Sequence, residues 1–168
     1  MDFSREAWFR AALATKSGDD YAVGDVMASG QHGGREVLVY STAVRMQGRA
    51  DGAVLGTLGV YFDWQDQGRS IVETEAALPP KIAERTEVML LDAKGRMIAT
   101  TRSANRFATF DLRHEGRARG SYYDGNGNIV AFAKTLGYQE YDGLGWWGVV
   151  VQRTEQDDTI KQALGMTG

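Results

Sequence analysis

The chain has 168 residues, a formal net charge of −3 and 43% hydrophobic residues, a composition that fits one globular domain or two small ones. Its Lys and Arg are scattered among acids, which argues against nucleic acid as a partner, because phosphate binding needs clustered cations. It contains no cysteine, so disulfides, thiolate catalysis and Cys-ligated zinc are excluded.

Residues 3–15 read as a helix capped by Asp2 or Ser4, with Trp8/Ala12 and Phe9/Leu13 as apolar i,i+4 pairs. Gly18-Asp19-Asp20 breaks it. A short strand is expected over 21–28, then a turn at 31–34 and two long strands over 36–46 and 53–64, joined by a hairpin loop at 49–52. Residues 65–77 read as a second helix, which Pro79-Pro80 interrupts before a short helical piece.

A second run of strands follows at 88–91, 96–100, 120–123, 128–135 and 146–152, with tight turns at 92–95 and 124–127. The loop over 102–116 is expected to be pinned to the core by Phe107, Phe110 and Leu112, a second loop fills 137–145, and residues 155–164 read as a C-terminal helix. Meandering strands packed by helices, without regular crossover helices, predict an α+β fold.

No apolar run approaches the ~20 residues needed to span a bilayer. The N-terminus lacks the basic-then-apolar pattern of a signal peptide. The chain is therefore expected to be soluble, either as a whole small protein or as a soluble region of a larger one.

Several motifs match chemistry only in part. GLGWWG at 143–148 has the spacing of a dinucleotide-binding loop, but a strand follows it and two tryptophans stand where a pyrophosphate would approach. DGNGN at 124–128 opens like a calcium loop, yet Ile129 replaces the required glycine and Thr135 the bidentate acid. His32 and His114 lie in polar surroundings and read as surface residues, as does the group Arg113, Arg117 and Arg119. The adjacent acids Asp19-Asp20 and Asp157-Asp158 have no histidine near them in sequence. No metal or cofactor is expected.

GTLGVYFDW at 56–64 places a carboxylate, Asp63, between two aromatics. Strand alternation puts Thr57, Gly59, Tyr61 and Asp63 on one face. Gly56, Leu58, Val60 and Phe62 fall on the other, which reads as a core face. The first face suits a small-molecule pocket, with apolar walls and a few polar groups. Asp63 also suits the N-cap of the following helix, and an acid–base role with Tyr61 is a third reading.

REAWFRAAL, Tyr21 and the hairpin EVLVYSTAVRMQGRADGAVLGTLGVYFDW together resemble the Cache family of bacterial sensor domains. These are extracytoplasmic PAS-like modules of chemoreceptors, sensor kinases and diguanylate cyclases. Trp8-Phe9, Tyr21 and the stretch from Gly59 to Asp63 occupy the family's pocket-helix, lid-strand and strand-end positions. VMLLDAKGRMIATT and GLGWWGVVVQ look like the first hairpin and last strand of a PAS-like module.

The resemblance implies antiparallel sheets flanked by helices and a non-enzymatic sensory domain, of the kind that serves chemotaxis. It implies residues 1–80 as a first module incomplete at its N-terminus, and 81–168 as a second, membrane-proximal module. Its ligand would be a small polar metabolite: an organic acid, an amino acid or an amine. The implied contacts are Arg5, Trp8, Tyr21 and Asp63, with Tyr40 and Tyr61 beside them.

In the amino-acid-binding branch an Arg stands two residues before the Trp and a Tyr follows it. Here Arg5 is three residues before Trp8 and Phe9 takes the tyrosine's place. Flanking transmembrane helices, a homodimer and a periplasmic location go with the family; a complete protein of this sequence would instead be cytoplasmic. A ligand-free dimerisation or interaction module and a small hydrolase or isomerase are the competing readings.

Overall fold

The computed structural model describes residues 3–102, 106–136 and 143–154. The helix expected over 155–164 and most of the loop over 137–145 lie outside them. The chain forms two compact units, Met1–Gln67 and Gly68–Gly168.

In the first unit, helix α1 (Ala7–Leu13) packs on an antiparallel sheet. Strand β3 (Arg35–Arg45) is its centre, with β4 (Val54–Asp63) along one edge. Two short strands, β1 (Ala22–Val23) and β2 (Met27–Ser29), share the other edge. The single strand expected over 21–28 is thus broken at Gly24, whose N–H still bonds the Val39 carbonyl at 2.9 Å while Val26 turns into the core. The helix begins later than expected: Glu6, in extended conformation, holds the N-cap position, and Ser4 lies in the preceding turn.

The end of α1 is tied to the sheet by polar bonds. Thr15 Oγ1 donates to the Ala12 carbonyl at 2.7 Å and accepts from the Ala43 N–H at 3.3 Å. Arg45 donates to the Thr15 and Gly52 carbonyls. Such bonds satisfy the carbonyls that a helix end leaves without intrahelical partners.

The two sheet faces follow from the register. Val39↔Tyr61, Ser41↔Gly59 and Ala43↔Thr57 form the face under α1, with Val39, Ser41 and Ala43 buried. Leu38↔Phe62, Tyr40↔Val60 and Thr42↔Leu58 form the other. Here the sequence expectation fails. Leu58, Val60 and Phe62, read as a core face, are 54%, 47% and 50% exposed, and of this set of paired residues only Leu38 is buried. Alternation fixes which residues share a face, but α1 covers the mixed face of Thr57, Gly59 and Tyr61 and leaves the more apolar one open, so packing and not apolarity decides which one is covered.

The second unit holds a five-stranded antiparallel sheet: β5 (Thr86–Leu91), β6 (Met97–Thr100), β7 (Arg119–Tyr123), β8 (Ile129–Lys134) and β9 (Trp147–Gln152), in the order β6-β5-β9-β8-β7. Its core is Met89, Leu91, Met97, Val130, Phe132 and Val149. Phe110 and Leu112 pack against it as expected. Phe107 instead takes a left-handed φ of 65° under the Arg96 guanidinium.

The β5–β6 and β7–β8 hairpins of this sheet are each closed by an aspartate. Asp92 Oδ1 accepts from the Lys94 and Arg96 N–H groups, and Asp124 Oδ1 from those of Asn126 and Asn128. The Asn128 side-chain amide, and then these backbone N–H groups, hold the Asp124 carboxyl below the usual carboxylate range. This is a hairpin turn in place of a calcium loop.

In chain order between the strands of the two sheets, helix α2 (Trp64–Arg69) runs into a π-helical segment, Ser70–Glu75, and α3 (Pro80–Ala83) starts on a proline at its first turn. The π-helical segment contacts β5 and β6 and belongs with the second unit, so the division falls before it and not at Pro80. Both units are α+β.

Candidate functional site

The six residues singled out in the sequence do not converge on one point. Trp8 and Tyr61 meet on the covered face of the first sheet, ring centroids 5.9 Å apart and edge-on. Gly59 makes this possible, because a Cβ there would stand 2.8 Å from Trp8 Cζ3. Phe3 and Phe9 flank the indole at 5.6 and 5.8 Å. The Ser41 hydroxyl donates to the Trp8 carbonyl at 3.1 Å, fixing the helix over the strand pair.

Tyr21 and Tyr40 lie on the opposite face, with rings 6.1 Å apart, and Tyr40 meets Phe62 at 5.3 Å. Arg5 is exposed in the turn before α1, where its carbonyl accepts from Arg10 at 3.4 Å.

Asp63 ends β4, directly before α2, at the N-cap position. Its carboxylate is held by the Arg35 guanidinium, which also reaches Asp66 at 3.1 Å. The Asp63 carboxylate raises Arg35 above its already high range, and Asp66 adds to that. Sequence reading missed Arg35. The hairpin register could have found it: Val37 opposes Asp63, and Arg35 lies two residues further along the same face.

The surroundings of Tyr61 were also missed. The His32 ring packs 4.7 Å from it, while His32 Nδ1 engages Ser29 Oγ at 2.8 Å. Burial, and then the Glu6 carboxylate, raise the Tyr61 hydroxyl above the ordinary phenol range; the approaching Trp8 indole works in the opposite direction. That indole N–H is buried and reaches no acceptor with hydrogen-bond geometry. A donor of this kind, enclosed by aromatic rings, is an available contact for a ligand oxygen.

In the second unit His114 stacks on Trp147 at 4.7 Å and its Nδ1 accepts from the Gly116 N–H. Arg113 and Arg117 lie over the Tyr122 and Phe132 rings at 4.4 and 5.7 Å, so their cations serve packing within the sheet. Among the described residues no cluster of three or more His, Cys, Asp or Glu could hold a metal ion, and no helix is long and apolar enough to cross a membrane.

No protein-family model matches the chain, and no curated protein matches it significantly. Solved structures do. The ligand-binding domain of the Pseudomonas aeruginosa PAO1 amino-acid chemoreceptor PctC, in complex with GABA, superposes with a TM-score of 0.64 at 18% identity over 91% of this chain. The PctB domain of the same organism, in complex with L-Gln, gives 0.60 at 16% identity over 100% of this chain. The Campylobacter jejuni chemoreceptor Tlp3, in complex with L-norvaline, gives 0.54 at 19% over 90%. The chain spans 62%, 67% and 54% of those three structures. Its fold is that of the ligand-binding domains of bacterial amino-acid chemoreceptors, the Cache-type fold that the resemblance implied.

Proposed function

We propose that this chain is a ligand-binding sensory domain, without catalysis, from the extracytoplasmic part of a bacterial membrane-bound receptor of the chemoreceptor kind. The observation that carries this reading is the meeting of Trp8 and Tyr61 over Gly59, on the strand that ends in Asp63. It supplies an aromatic wall, an unpartnered indole N–H and a carboxylate along one strand face. The fold likeness to domains in complex with amino acids supports the same reading.

The ligand is a small polar metabolite: an organic acid, an amino acid or an amine. Trp8, Tyr61 and Asp63 are its contacts, and an amine would compete with Arg35 for Asp63. Tyr21 and Tyr40 form a separate aromatic pair, and Arg5 stands exposed in the turn before α1. Flanking transmembrane helices, a receptor homodimer and a periplasmic location belong to this reading. Binding would shift α1 against the sheet, and the receptor would read out that population change.

A thermal-shift screen with amino acids, organic acids and amines tests it. Stabilisation by at least one compound, lost in Asp63→Ala and Trp8→Leu, is the expected result. A screen in which no compound stabilises the domain, with Asp63→Ala silent in receptor signalling, would end the proposal.

A further inference from the structure

The second unit has a cavity of about 300 Å³ that the reading above does not use. Its apolar walls include Val72, Leu78 and Ala83. Thr86, 5% exposed, also lines it, and its hydroxyl has no hydrogen-bond partner. A buried hydroxyl left unpaired in a native fold calls for a missing partner.

Thr86 lies on the face of β5 opposite Met89 and Leu91, and so points away from the core of that unit. Glu73 lines the same cavity from the π-helical segment, a backbone form frequent at functional sites. Glu73 is exposed and has no ion pair or hydrogen bond among the described residues.

The charge balance selects the ligand class. The only lining cation among the described residues, Arg102, is turned to Glu87, Nε to Oε2 at 3.8 Å, which offsets its charge. Glu73 is then the uncompensated charge of the cavity. An ammonium group would pair with it and give a further N–H to Thr86 Oγ1, whereas a carboxylate would be repelled. The volume lies at the lower end of small-molecule sites.

We propose that this cavity is a binding site for a small primary amine, with its ammonium on Glu73 and Thr86 and a short alkyl chain along Val72, Leu78 and Ala83. The site is confined to the second unit and independent of the sensory reading at Asp63.

The test is a titration of the whole chain with butylamine and, separately, butyrate at equal ionic strength and pH, followed by amide chemical shifts. Butylamine is expected to move the amides of Val72, Glu73, Ala83 and Thr86 with millimolar affinity, and butyrate is not. Glu73→Gln, an exposed change that leaves the thermal midpoint unaltered, should weaken butylamine about tenfold, and Thr86→Val about fivefold.

Butyrate binding as tightly as butylamine, an unchanged affinity in Glu73→Gln, or the absence of shifts at these amides would overturn the proposal. Shifts confined to the first unit would overturn it too, while leaving the Asp63 reading intact.

Discussion

The Trp8 indole lies on Gly59 so closely that no side chain fits between them: a Cβ at Gly59 would come within 2.8, 3.0 and 3.2 Å of three ring carbons. The contact sets the distance of α1 from the sheet. Gly59→Ala should therefore push the helix outward and cost about 1–3 kcal/mol, the usual range for overpacking. In a Trp8→Leu background the same change should cost much less. Urea unfolding of the four chains measures the coupling.

The register divides β3 and β4 into a covered and an open face. Val39→Ala, under α1, should cost roughly 1–3 kcal/mol, because the methyls it removes are buried. Val60→Ala, across the sheet on the open face, should stay within about 0.5 kcal/mol. Equal losses would mean that the open face is covered in solution.

Tyr61 gives the first unit an alkaline limit. Its folded pKa is raised by burial and by Glu6. Its contribution to stability is thus complete below the ordinary phenol value of about 10 and is lost as pH rises through the higher folded value. Tyr61→Phe should remove that part of the alkaline decline. Thermal midpoints between about pH 8 and 11 in both chains measure it.

In the second unit Asp92 has a nearly buried side chain and accepts from the Arg96 Nε at 2.7 Å and from two backbone N–H groups. Asp92→Ala should cost about 2–3 kcal/mol, since it leaves those donors and the guanidinium without their acceptor. Asp92→Asn keeps an acceptor for the turn and should cost less. Chemical denaturation of both variants separates the turn from the ion pair.

The sequence by itself determined the α+β class, the long β3–β4 hairpin and the aspartate-closed turns at Asp92 and Asp124. Each rests on local rules: strand alternation, the β propensity of Val and Tyr, and Asp side chains that bond their own turn. It also placed Gly59, Tyr61 and Asp63 on one face, because alternation is local geometry.

Which face is buried was a tertiary decision. Leu58, Val60 and Phe62 are as apolar as any core stripe, yet α1 packs on the other side, where Gly59 admits Trp8. The partner of Asp63 was decided the same way. Arg35 lies 28 residues before it in sequence and reaches its carboxylate only once the hairpin register is set. The separation of Tyr21 and Tyr40 from Trp8 and Tyr61 has the same origin. A residue's neighbours along the chain fix its face, but the side of the sheet that a helix covers depends on long-range packing, which short-range periodicity does not encode.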